Sequence, residues 1–291
     1  MSDEPTRAQL ADLAAQLGIS GNEVSLIRRG TNWVYNVGDT HVMRVSDGFT
    51  PTRVRRNLET AIFASRHAPV LAPESEVVAV SKVGQNTLSA TLWPLGDAAC
   101  GQDVAEGFGI ALRALHDVSY SESGIRYADP DDLPNRGFER LAKAPEWVDE
   151  AVVSCLESLL EKRTRAWHKA FAAAPKSIAH NDAQISNAIF HKGCVTLIDL
   201  DGSTISPSFY DLVPEAVACK RMGATDTYQA LVSGYGDTAK YDEYIQAGID
   251  MREVTSTTWL MTVDTPRHQE EFFKRFETLV DPGDDRQWAA F

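Results

Sequence analysis

The sequence predicts an α+β protein: a small N-terminal lobe of antiparallel β-structure carrying one inserted helix, residues 1–95, and a larger, mostly helical lobe, residues 96–291. Two observations carry this expectation. Up to about residue 96 the chain consists of short β-rich runs broken by Gly and polar turn signals, and beyond about residue 104 it changes to long stretches with apolar residues at helical spacing. A third feature divides the helical part. The segment IAHNDAQISNAIFHKGCVTLIDLDG, residues 178–202, places three carboxylates and three side-chain amides between apolar runs too short for helices.

In order along the chain, residues 6–18 repeat apolar positions at helical spacing and stop at Gly18, a suitable helix end. Residues 23–46 read as three strands, punctuated by Gly30 and by the Gly38-Asp39 turn. Residues 51–69 read as a helix with Val54, Leu58, Ile62 and Phe63 approximating one stripe. Two more strands are expected in 75–96 around a turn at 84–87, followed by a connector over 93–103. Helices are then expected at 104–118 and 145–175, with the intervening YSESGIRYADPDDLPNRG a polar loop, and further helices run from about Pro214. No internal repeat or low-complexity tract is present.

Composition excludes several classes. The net charge is −13 and no Lys/Arg stripe exists to follow a phosphate backbone, so nucleic acid is not an expected partner. No apolar run approaches the ~20 residues that span a bilayer, and the acidic, polar N-terminus is unlike a signal peptide. A cytoplasmic location away from membranes is the expectation. Cys100, Cys155, Cys194 and Cys219 lack metal-ligand spacing and are expected to be reduced and mostly buried. From Pro175 onward there are 18 acidic and 10 basic residues, a bias that attracts cations or simply keeps a surface soluble.

Within residues 178–202, Asp199 and Asp201 share a face if extended structure persists that far. Asp182 and Asn187 lie on a loop between stubs short enough to return it towards that strand. The outcome is an oxygen-rich cluster suited to Mg²⁺, which is commonly completed by substrate phosphates, with a carboxylate left over to orient or deprotonate a hydroxyl. Those are the parts of phosphoryl transfer.

His180-Asn181-Asp182, then Asn187, then Ile198-Asp199, resembles the HxDxxxxN and IDW-type motifs of the aminoglycoside phosphotransferase family, small-molecule kinases related to protein kinases. SPSFYDL, 206–212, is similar to that family's GDPxYDL signature. GTNWVYNV, 30–37, resembles its nucleotide-covering turn, and LRALH, 112–116, the helix after its hinge. The similarity extends over most of the chain and implies a two-lobed protein-kinase-like fold, with ATP as phosphate donor, GTP being left open, and Mg²⁺ as cofactor.

Carried over by position, the resemblance makes Asp182 the catalytic base or acceptor-orienting residue and gives Asn187 and Asp199 the Mg²⁺ ions. Arg44 stands in place of the phosphate-clamping lysine, Glu59 pairs with it, and Gly30, Asn32, Trp93 and Leu95 lie at the nucleotide, with hinge backbone from Thr91 to Leu95 reading the purine edge. An ordinary surface salt bridge is the alternative for Arg44 and Glu59. His180 braces the catalytic loop and Asp211 ties it, although Asp211 is most simply a helix N-cap. Asp201 is either a group behind the metal ligands or a turn former before Gly202. Trp33 covers a substrate or is a partly buried aromatic at a turn.

Four departures from the pattern stand out: Arg44 for lysine, Asn181 for glycine, Gln184 for a second histidine and Leu200 for an aromatic. Asn181 requires the left-handed backbone that asparagine tolerates best among side chains with a Cβ. The expected acceptor is a small-molecule hydroxyl, on an aminoglycoside or another cationic or nucleoside-like antibiotic, framed by the 119–136 loop with Asp129, Asp131 and Asp132 and by C-terminal carboxylates including Glu253 and Glu271. A metabolic acceptor, such as a sugar, a choline-like amine or an amino alcohol, is the alternative, and a catalytically silent nucleotide-binding module is a third reading. Monomer or weak dimer is the expected assembly.

Overall fold

The computed structural model describes residues 4–19, 24–30, 32–83, 86–98, 102–281 and 283–290. The chain divides into two compact units. The first comprises residues 1–99, 121–123 and 186–203, and the second 100–120, 124–185 and 204–291.

The first unit is built on a sheet of β1 (Val24–Arg29), β2 (Asn32–Val37), β3 (His41–Asp47), β4 (Ala79–Val83) and β5 (Asn86–Pro94), in the order β1-β2-β3-β5-β4 with every neighbour antiparallel. Strand alternation sorts its side chains. Trp33, Tyr35, Val37, Met43, Val45, Leu88, Ala90 and Leu92 face α1 (Arg7–Gln16), which contributes Leu10, Leu13 and Ala14 to that core. Trp33 is accordingly a core residue, 4% exposed. A capping box starts α1: the Thr6 hydroxyl accepts from the Gln9 N–H, and the Gln9 side chain accepts from the Thr6 N–H.

The alternate set, Asn32, Arg44, Ser46, Thr91 and Trp93, occupies the opposite sheet face. There α2 (Pro51–Ser65), started by the Thr50 cap and by proline in its first turn, buries Val54, Leu58 and Ala61. It ends short of the expected Pro69, because a proline drives the residue before it out of the helical region. A second, three-stranded sheet joins β6 (Asp97–Ala98) to the hairpin of β8 (Ala188–His191) and β9 (Cys194–Leu197), whose two-residue turn Lys192-Gly193 has φ of 51° and 81°.

The second unit is helical: α3 (Gln102–His116), α4 (Asp132–Leu141), α5 (Glu150–Ala173), α6 (Val213–Met222), α7 (Thr225–Tyr235), α8 (Asp242–Leu260) and α9 (Pro266–Val280), with β7 (Lys176–Ala179) paired to β10 (Thr204–Pro207). The 119–136 stretch is not wholly a loop. Pro134, Gly137 and Leu141 of α4 are buried at helical spacing, a pattern hidden by surrounding polar residues.

Two glycines allow α3 and α7 to approach closely. A Cβ on Gly109 would lie 2.1 Å from the Leu231 carbonyl oxygen, and one on Gly234 would lie 2.0 Å from that of Glu106. Glycine in a helix ordinarily costs about 1 kcal/mol relative to alanine, yet here Gly234→Ala should destabilise by about 1–3 kcal/mol because backbone must move. A denaturant midpoint at or above wild type would contradict this packing.

Two carboxylates expected around the acceptor serve the core instead. Glu253, 1% exposed, is held by Arg221 at 2.6 Å, Lys220 at 2.9 Å and Arg163 at 3.5 Å. Glu271 binds Arg275 and Lys274 and accepts from the Ala289 N–H, while the indole of buried Trp288 donates to Thr278 and lies under Arg275. Trp288 therefore docks the C-terminal segment; Phe291 lies outside the described residues, as does Cys100. The remaining cysteines are free, as expected, but not buried: Cys194 is exposed, and Cys155 and Cys219 are intermediate. Among the described residues, no helix is long and apolar enough to cross a membrane.

Candidate active site

In the first unit the key local event is the end of β9. Extended structure stops at Leu197, and Asp199 adopts φ 64° and ψ 52° before a 3-10 turn over 200–202. The shared strand face expected for Asp199 and Asp201 therefore does not exist. Their carboxylates converge by another route, on one guanidinium. Arg44 Nη1 donates to Asp201 Oδ1 at 3.1 Å and Nη2 to Asp201 Oδ2 at 2.6 Å, while Nη2 also reaches Asp199 Oδ1 at 2.8 Å.

The Asn32 amide completes the arrangement. With its nitrogen towards Ser46 Oγ, 2.6 Å away, its oxygen accepts from Arg44 Nε at 3.0 Å. The opposite orientation would set two donors against each other. Burial raises the Asp201 carboxyl pKa and the Arg44 charge opposes that rise. Together with Asn57, Leu58, Thr91 and Trp93, these groups line a recess between sheet and α2, and the Trp93 indole donates to Thr91 at 2.8 Å.

Asn187 belongs to the same assembly. It is 7% exposed at the start of the β8–β9 hairpin, and its carbonyl accepts from the Ile198 N–H at 3.0 Å, which brings it next to Asp199. Asp199 commits only Oδ1 to Arg44. The residues thus fit a magnesium site: an amide and a free carboxylate oxygen are hard donors, and two carboxylates against one guanidinium leave net negative charge.

Three other residues expected at the nucleotide are exposed. Glu59, expected to pair with Arg44, is exposed on α2, and its place as the arginine's partner is taken by Asp201. Helical phase explains this, since Val54, Leu58 and Ala61 point inward and position 59 falls outside that stripe. Leu95 is 40% exposed, and its N–H is spent on the Thr40 carbonyl at 2.8 Å, so it is not a donor for a purine edge. Gly30 is exposed, and its N–H donates to the Asn32 carbonyl, whereas Thr31 lies outside the described residues.

In the second unit, a loop follows β7. His180 is fully buried, and Asn181 takes the left-handed conformation, φ 65°. Asp211 is not a helix cap. It lies fully buried in a 3-10 turn, 208–212, and accepts from the His180 N–H at 2.6 Å, the Asn181 N–H at 2.7 Å and His116 Nε2 at 2.9 Å. With Nε2 donating, His116 Nδ1 accepts from the Tyr235 hydroxyl, 2.7 Å away, which burial keeps protonated by raising its pKa. Asn181 is also tied to β10 through Thr204 and Ser206, at 2.6 and 2.7 Å.

Beyond that braced backbone, the Asp182 carboxylate is 55% exposed. Gln184 donates to its Oδ1 at 2.9 Å, and Arg252 of α8 places Nη2 3.8 Å from the same atom. Glu215 accepts from the Ile185 N–H at 3.1 Å, with its carboxyl pKa raised by burial. Sequence reasoning missed Arg252, Glu215, Thr204 and Ser206. No motif marks them, since each matters only through the neighbour that folding gives it.

Fold and site define a small-molecule phosphotransferase with the kinase-like architecture. The chain belongs to the phosphotransferase enzyme family, whose model matches residues 30–244. No curated protein sequence matches it. Similar solved structures include the GDP and kanamycin complex of APH(2")-IIia, at TM-score 0.67 and 13% identity over 94% of this chain and 98% of that one. The amicoumacin kinase hAmiN with AMP-PNP, Ca²⁺ and Ami aligns at TM-score 0.67 and 9% identity, covering 91% and 90%. A choline/ethanolamine kinase family protein from Mesorhizobium loti aligns at TM-score 0.64 and 17% identity, covering 94% and 93%.

Proposed function

We propose that this chain transfers the γ-phosphoryl group of ATP to a hydroxyl of a small-molecule antibiotic. The observation that carries the reaction type is the Asp182 carboxylate, exposed on a loop whose backbone is held rigidly by Asp211. In this reading the acceptor oxygen attacks the γ-phosphorus, the bond to the β–γ bridging oxygen breaks, ADP leaves, and the hydroxyl proton passes to Asp182. Arg44, Asn187 and Asp199 bind the nucleotide end. Mg²⁺, held by Asn187 and Asp199, would neutralise phosphate charge.

Support for an antibiotic acceptor comes from the aminoglycoside and amicoumacin kinases among the structural neighbours and from the acidic C-terminal half. One observation favours a second reading. A guanidinium 3.8 Å from Asp182 disfavours an ammonium at that position, so a sugar or other metabolite without a flanking amine is the alternative acceptor.

The test is incubation of the purified protein with Mg·ATP, and separately Mg·GTP, against aminoglycosides, other antibiotics, sugars and amino alcohols, read by product mass. One added phosphate on an antibiotic, abolished by EDTA, is the expected result. Product on metabolites alone would replace the antibiotic reading, and neither product nor ATP hydrolysis would favour the silent nucleotide-binding module.

A further inference from the structure

We infer that Asp201 is the residue that positions Arg44 for nucleotide phosphate, so that the clamp is built from β3 and the 3-10 turn after Asp199 and owes nothing to a helix glutamate. The inference rests on the phosphotransferase reading above. It is carried by groups that all lie within the first unit.

A lysine ammonium in a phosphate clamp needs one carboxylate to hold it. A guanidinium needs more, because its five N–H groups are fixed in a plane and each orientation of the fork presents different donors. Here four of the five are engaged: Nε by Asn32, one N–H of Nη1 by Asp201, and both of Nη2, shared among Asp201, Asp199 and the Asn32 oxygen. The Asp201 fork is bidentate, the arrangement that fixes both distance and plane. Only one Nη1 hydrogen is left to offer a phosphate oxygen, and its direction is set by Asp201.

The two carboxylates are not equivalent. Asp201 gives both oxygens to the fork, whereas Asp199 gives one and keeps Oδ2. Asp199 would be the carboxylate shared between Arg44 and Mg²⁺, whereas Asp201, with both oxygens on the fork, would keep the guanidinium in place. Opposite it, α2 presents apolar Val54 and Leu58 and uncharged Asn57 to the recess and leaves Glu59 in solvent.

The experiment is a double-mutant cycle on ATP affinity, measured by calorimetry with and without Mg²⁺. Asp201→Asn should weaken Mg·ATP binding about tenfold in the wild-type background and by less than about twofold in an Arg44→Gln background, since it acts through that arginine. Glu59→Gln should leave affinity unchanged. Should Asp201→Asn not fold, the cycle is run with Asp201→Glu, whose longer arm displaces the fork without uncovering a charge. Additive effects in either cycle, or a loss of affinity in Glu59→Gln matching that of the Asp201 variant, would overturn the inference. A wild-type chain that binds no nucleotide would overturn the phosphotransferase reading and this inference with it.

Discussion

Asp182→Asn is expected to lower kcat by about 10²–10⁴-fold while the dissociation constant for Mg·ATP stays close to that of the wild type. The carboxylate is 55% exposed, so the fold should be unaffected. The amide keeps a carbonyl oxygen, to which Gln184 can still donate, but it cannot take the proton of an incoming hydroxyl. Arg252 loses the charge it faces at 3.8 Å, a weak contact whose removal costs little stability. The decisive comparison is therefore kcat against nucleotide affinity, both measured on protein of unchanged melting temperature. Turnover near wild type would remove Asp182 from the chemistry.

Asp211→Asn should act mainly on stability. The wild-type carboxylate receives two backbone N–H groups and an imidazole N–H in a fully buried position. An amide of the same size offers one oxygen and one NH₂, so a donor must face a donor, either at the Asn181 N–H or at the pair His180 N–H and His116 Nε2. The expected cost is about 3 kcal/mol, within the range for leaving buried partners of a charged group unpaired. In melting temperature that corresponds to a fall of roughly 6–12 °C. Turnover should fall as well, because Asp182 follows directly on the residues that Asp211 holds. A melting temperature within about 2 °C of wild type would show that the loop is held by other means.

The family motif was legible because the chemistry proposed for it admits few substitutes. Acceptance of a proton and hard-oxygen donation demand particular side chains at particular spacing, and Asp182, Asn187 and Asp199 announce themselves in order. The left-handed backbone at Asn181 was legible for a similar reason, since few residues other than glycine adopt φ 65° readily. The strands of the first sheet were legible from Gly and polar punctuation, but α4 was not, because its buried face consists of Pro134, Gly137 and Leu141 and carries little apolar signal.

Sequence by itself determined the α+β class, the strands of the first sheet and the family to which the phosphotransfer motif belongs. It did so through periodicity and through the restricted chemistry of a few side chains. The tertiary structure alone decided which charges meet. Glu59 and Asp201 are equally able to pair with an arginine, and Glu253 and Glu271 are as acidic as any pocket residue. Helical phase sent Glu59 into solvent, a left-handed Asp199 and one 3-10 turn delivered Asp201 to Arg44, and neighbouring arginines drew Glu253 and Glu271 into the core. An ion pair depends on a distance of a few ångströms between residues more than 150 positions apart, and that distance is a property of the folded chain.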